Sequence, residues 1–90
     1  MNLFQLGQLV ATPDVLTEME ASGDSLLAYL NRHVTGDWGD VDEHDRKENE
    51  RGLAANLRIF SVYHLTNGTK IWIITEHDRS YTTVLLPGEY

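Results

Sequence analysis

RIFSVYHLTNGTKIWIITEHDRSYTTVLL, residues 58–86, decides how this chain folds. Three runs within it, Arg58–Leu65, Lys70–Glu76 and Tyr81–Leu86, have a hydrophobic period of two and are rich in β-branched and aromatic residues, the signature of strands. Asn67-Gly68 between the first two is a strong hairpin signal and reads as a two-residue type I′ turn. His77-Asp78-Arg79-Ser80 makes the second turn, and Pro87-Gly88 ends the last strand. A two-residue first loop sets Tyr63 opposite Trp72 and Val62 opposite Ile73. A four-residue second loop sets Ile73 opposite Val84 and Trp72 opposite Leu85. One face of the sheet then holds Phe60, Val62, Ile71, Ile73, Val84 and Leu86, and the other holds Tyr63, Leu65, Trp72, Ile74 and Leu85. Both are apolar, which a three-stranded sheet with one wet side does not require. Either helices cover one face and the N-terminal segment the other, or one face is an interface.

Upstream of Arg58 the pattern is helical. Thr12 caps a helix over Pro13–Ser22, with Pro13 at its first position and Asp14 at the positive end of its dipole. Val15, Leu16 and Met19 form its apolar side, and Gly23 stops it. Asp24 caps a second helix carrying Leu26, Leu27, Leu30 and Val34, with Arg32 and His33 in its last turn and Gly36 at its end. Asp37-Trp38-Gly39-Asp40 is a turn with an anchored aromatic. A third helix starts at Asp40 or Asp42 and runs to about Leu57, with Asp42–Arg46 and Glu43–Lys47 at favourable i, i+4 spacing. Its first half reads as solvated, and Leu53, Ala54, Ala55 and Leu57 anchor its end. Asn2–Ala11 fits an irregular strand or a short helix. The expectation is a single α+β domain over residues 1–90, with two or three N-terminal helices packed on a three-stranded antiparallel β-meander.

The chain has 90 residues, 14 Asp+Glu against 7 Lys+Arg, a formal charge of −7 and no cysteine. The absence of cysteine excludes disulfides, thiolate metal sites and cysteine nucleophiles. No apolar run approaches the roughly 20 residues of a membrane helix, and no secretory signal precedes the first helix, so a cytoplasmic protein without membrane contact is expected. The acidic balance argues against direct binding of duplex DNA, which needs Lys and Arg to neutralise phosphates.

Seven of the acids, Asp37, Asp40, Asp42, Glu43, Asp45, Glu48 and Glu50, fall within residues 37–50. The calcium-loop spacing fails there, because the sixth position lacks glycine. His44 and Glu48 share a helix face, but two ligands do not make a zinc site, so no metal or cofactor is expected. Charge runs are usually solvated faces, yet this one also suits docking on a basic protein patch. The expected contact residues are Asp37, Trp38, Asp40, Asp42, Glu43 and Asp45, with Tyr63 and Trp72 from the sheet. Trp38 and Trp72 also fit structural roles, Trp38 plugging the end of the sheet and Trp72 in the core. An alternative is a metal-independent ribonuclease, with His33 or His77 as base, Arg79 on the phosphate and Glu76 as acid. Against it, a polar hairpin loop carries such residues without any catalytic role.

His33, Gly36-Asp37-Trp38-Gly39-Asp40, Asp45, Asn49, Ser61, Tyr63, Trp72-Ile73-Ile74-Thr75-Glu76, Asp78-Arg79-Ser80, Thr83, Leu85-Leu86-Pro87 and Tyr90 resemble a family of short bacterial proteins carried on plasmids, integrative elements and phages. The resemblance spans nearly the whole chain and implies an accessory role on a mobile element, with no catalytic assignment. Taken with the charge and the acid cluster, it points to an expected non-catalytic protein that binds a host protein, such as one that handles nucleic acid or serves in defence, and a homodimer is compatible with it. A weaker analogy of element order links the chain to barnase-like and RelE-like ribonucleases.

Overall fold

The computed structural model describes residues Met1–Tyr90. Its elements follow in the order β1 (Gln8–Ala11), α1 (Pro13–Ser22), α2 (Leu26–Val34), α3 (Glu43–Ala55), β2 (Ile59–His64), β3 (Lys70–Thr75) and β4 (Tyr81–Leu85), closed by one 3₁₀ turn over Pro87–Glu89. The fold is α+β, with three helices and a mixed four-stranded sheet in the order β1-β4-β3-β2. The expected three-stranded meander is therefore incomplete. β2, β3 and β4 pair antiparallel as read from the sequence, and β1 adds a parallel strand beside β4. The N-terminal segment extends the sheet instead of covering a face.

The first hairpin departs by one residue from its expected register. Val62 stands opposite Trp72 and Tyr63 opposite Ile71. Leu65 accepts from Gly68 N–H at 2.8 Å and donates to Thr69 O at 2.8 Å, so the loop holds three residues, Thr66-Asn67-Gly68. Gly68 has φ +88° while Asn67 has no positive φ, which excludes a type I′ turn and fits a type I turn closed by a left-handed glycine. The second loop has its four expected residues, with Ile73 opposite Val84 and Trp72 opposite Leu85.

That single shift exchanges side chains between the faces. Tyr63, Leu65, Ile71, Ile73 and Val84 meet Val15 and Met19 of α1 and Tyr29 and Leu30 of α2 in one core. Each fully buried aliphatic here contributes about 1.5–3 kcal/mol. The opposite face carries Phe60, Val62, Trp72, Ile74 and Leu85. Trp72 is half-buried there, between the rings of Phe60 at 5.2 Å and Tyr90 at 5.8 Å, and so is not a core residue.

α1 has its expected boundaries and caps, Thr12 accepting from Val15 N–H. Leu16 is exposed, however, and Val15 and Met19 carry the contact. Ser25, not Asp24, caps α2, and Asp24 instead accepts from Thr66 N–H at 2.8 Å. Leu27 is 64% exposed, because the buried stripe of α2 runs through Tyr29, Leu30, His33 and Val34. α3 starts from Asp42 as expected and ends at Asn56. It is held by buried Asn49 and Gly52, not by Ala54, Ala55 and Leu57, which are exposed. Its helical pattern is too polar for a hydrophobic face, and a side-chain amide takes that place.

The outer edge of β2 is sealed along its length. Asn49 bonds the main chain of Phe60, Val62 N–H donates to Trp38 O at 3.1 Å, Asp40 N–H donates to Val62 O at 2.7 Å, and Tyr29 Oη reaches His64 O at 3.4 Å. Gly39 makes the approach of its segment feasible. It has φ +70° and a Cβ there would overlap the Val62 carbonyl.

Candidate docking surface

His33 is fully buried on α2, and both ring nitrogens are occupied. Nδ1 lies 2.6 Å from Ser61 Oγ and Nε2 2.9 Å from Thr75 Oγ1. Thr75 Oγ1 lies 2.7 Å from Thr82 Oγ1, and Thr82 donates to Leu6 O at 2.7 Å. Because that last acceptor is a carbonyl, the chain has one direction. Thr75 donates to Thr82 and His33 Nε2–H donates to Thr75. Burial keeps the imidazole neutral, so Nδ1 accepts from Ser61. Burial, with Arg79 as a further cause, pushes its pKa down to about 3. The Phe4 ring packs edge-on against it at 5.3 Å. A ring placed in this way is not presented to a substrate.

Arg79 is also occupied. Its guanidinium donates to Leu57 O at 2.6 Å, Gly52 O at 2.9 Å and Glu76 O at 3.1 Å, and sits over the Phe4 ring. The side chain ties the end of α3 to the β3–β4 loop. Glu76 is half-buried and His77 is exposed in that loop. One of the two candidate bases, His33, is thus a buried part of the scaffold and the candidate cation Arg79 is engaged by main-chain carbonyls, while the other base, His77, is exposed.

Most acids of the segment have a partner, from within it or from α2 and β2. Asp37 accepts from Arg32 Nε at 2.7 Å, and that guanidinium holds its carboxyl below the usual range. Asp40 meets His64 Nδ1 at 2.7 Å. Arg46 bridges Glu43 and Glu50, Arg51 pairs with Glu48 at 3.2 Å, and Asp42 caps α3 by accepting from Asp45 N–H at 2.8 Å. The Asp45 carboxylate has no ion-pair partner. Trp38 is buried, its indole N–H without a hydrogen-bond partner, so it plugs the fold as its structural reading expects. Tyr63 is buried as well. Its hydroxyl donates to Asp37 O at 2.6 Å, Arg32 stacks on its ring at 4.6 Å, and burial pushes its pKa up to about 12. Tyr63 and Trp72 stand on opposite faces of the sheet, which removes Tyr63 from any contact surface and breaks the expected pair.

The structure gathers a different set. A cleft of about 310 Å³ lies between α3 and the sheet, lined by His44, Asp45 and Glu48 on one side and by Leu57, Arg58 and Phe60 on the other. His44 and Glu48 are 4.0 Å apart, and no group of three or more His, Asp or Glu side chains forms a metal-binding cluster. Arg58 donates to Tyr90 Oη at 2.8 Å from its place in the lining, and Asp45, Glu48 and the Phe60 ring share the cleft with it. Phe60 was hidden from sequence reasoning by the register slip, which assigns it to the wrong set of neighbours. The i, i+4 pair His44–Glu48 was legible and now has a place. No helix is long and apolar enough to cross a membrane. Comparisons with known proteins return no matching family model, no matching curated protein and no matching solved structure.

Proposed function

We propose that this protein is a small acidic accessory protein of a mobile element that acts without catalysis, by docking on a host protein with a basic surface. The docking surface is the exposed side of α3 and the cleft beneath it. The observation that carries this reading is the Asp45 carboxylate, which lacks a partner in a cleft that also holds Glu48 and Phe60. Carboxylates beside an aromatic face suit a Lys or Arg side chain, through charge and cation–π attraction together. The wider charge of −7 would steer a basic partner towards it.

The test is capture of host proteins on the immobilised protein, beside fluorescence anisotropy with a labelled Lys/Arg-rich peptide. Binding that weakens with salt and is lost in Asp45→Lys supports the reading. Capture indifferent to both salt and Asp45→Lys would sink it. RNA cleavage by the purified protein that disappears in His77→Ala, a substitution at an exposed loop position, would move the assignment to the ribonuclease reading.

A further inference from the structure

The two edges of the sheet are treated differently. Every outward main-chain group of Phe60, Val62 and the His64 carbonyl on β2 has a partner. At the other edge stands β1, whose one neighbour is β4. Gln8 N–H donates to Ser80 O and Thr12 N–H to Val84 O, so the even-numbered residues turn their main chain towards β4. Alternation of the pleat turns the N–H and C=O groups of Leu9 and Ala11 outward. Leu9 is 52% and Val10 41% exposed, one on each side of this edge. β1 contains no charged residue, no proline and no bulge, so its four-residue length is its one protection against pairing.

The charge distribution says what fits there. Residues 1–13 contain no Asp, Glu, Lys or Arg, and neither does β4, so all formal side-chain charge lies elsewhere in the chain. The nearest carboxylate is Glu89, which accepts from Thr12 Oγ1 at 2.7 Å just past the end of β1, so a basic partner would find no acid along the strand itself. A second copy would meet it without setting carboxylates against each other, although the molecule as a whole is strongly acidic. The register is also self-complementary. Antiparallel pairing about a two-fold axis through Val10 sets Leu9 opposite Ala11 of the second copy and Ala11 opposite its Leu9. Each pair exchanges two hydrogen bonds, and all the outward groups of β1 are used.

We propose that two copies of this chain pair through β1 in that register to make a continuous eight-stranded sheet. The pairing does not depend on what α3 binds. It does place the two α3 clefts at opposite ends, with the two β2 strands about 34 Å apart at the usual strand spacing. A partner with two basic patches would then be bound with avidity. The strand is short, so the dimer is weak, with a Kd on the order of 100 µM.

Sedimentation equilibrium from micromolar to millimolar concentration tests the pairing in the unmodified protein. A monomer–dimer equilibrium is expected, with the Leu9 and Ala11 amides protected from hydrogen exchange only at high concentration. The chain has no cysteine, so Val10→Cys introduces a single thiol at the two-fold. Facing residues of a non-hydrogen-bonded pair are close enough for a disulfide, and mild oxidation should cross-link Val10→Cys but not Leu27→Cys on α2. Val10→Lys should weaken dimerisation tenfold or more while leaving the circular dichroism spectrum unchanged. A protein that stays monomeric at millimolar concentration overturns the proposal. So does a dimer that survives Val10→Lys and cross-links through Leu27→Cys.

Discussion

The side-chain amide of Asn49 pairs with the main chain of Phe60 as a neighbouring strand would. Its Nδ2 donates to Phe60 O at 2.7 Å and its Oδ1 accepts from Phe60 N–H at 2.9 Å. A polar helix is thereby fixed to a sheet edge without an apolar stripe. Asn49→Ala leaves both Phe60 groups without partners, and an unsatisfied group of this kind costs about 1–3 kcal/mol. A loss of about 2–3 kcal/mol in urea unfolding is expected. Asn49→Asp keeps the accepted bond but sets a carboxylate oxygen against the Phe60 carbonyl, and should not restore stability.

His33 makes the fold sensitive to mild acid. Its pKa is about 3 when folded and about 6.5 when unfolded. Between these values the unfolded chain holds the extra proton, so stability rises with pH and is lost as pH falls below about 6.5. The loss from pH 7 to pH 5 is about 2 kcal/mol, and it hardly depends on the lower pKa as long as that lies well below 5. The carboxyls lowered by folding, such as Asp37 beside Arg32, start from 3.8 and add their loss only in stronger acid. Chemical denaturation at pH 7 and pH 5 checks this. His33→Gln should be less stable at pH 7 and nearly flat between the two.

Most elements were legible because their signals are local. Thr12-Pro13 starts α1 and the switch to period two starts the sheet, each within a few residues. β1 was not, since a parallel strand has no turn to announce its partner, and Gln8 meets Tyr81 across almost the whole chain. The faces were misassigned through one residue of loop length at Asn67-Gly68, which moves Tyr63 into the core and Trp72 out of it. His33 reads as a base by residue type. Only the long-range meeting with Ser61 and Thr75 turns it into a structural group.

Arg79 donates to the Gly52 and Leu57 carbonyls at the end of α3 and to the Glu76 and His77 carbonyls of its own loop. Arg79→Ala should free the end of α3 and lower stability by about 1–3 kcal/mol, since the guanidinium and its acceptors are only partly buried. Arg79→Lys should recover little, because a single ammonium does not reproduce the planar fork that reaches both Leu57 and Gly52. Faster amide exchange at the end of α3, with the core strands slower, would locate the effect.

The acids of α3 divide into those that build the helix and one that is free to bind. Asp42 accepts from Asp45 N–H as N-cap and Glu43 pairs with Arg46. Asp42→Lys removes the cap and sets a positive charge at the positive end of the dipole, for an expected loss of about 1 kcal/mol or somewhat more. Glu43→Lys loses a surface ion pair of about 1 kcal/mol or less. Asp45 is neither cap nor pair but stands in the first turn, so Asp45→Lys should cost only the dipole interaction, about 0.5–1 kcal/mol, and leave the protein folded. If α3 is the docking surface, the effects on binding run the other way. Asp45→Lys should abolish capture of a Lys/Arg-rich peptide, while Asp42→Lys, at a temperature where it is fully folded, should slow association with a smaller change in dissociation. Stopped-flow binding at two salt concentrations separates these outcomes. Equal binding by the parent protein and Asp45→Lys would return the α3 face to plain solvated surface.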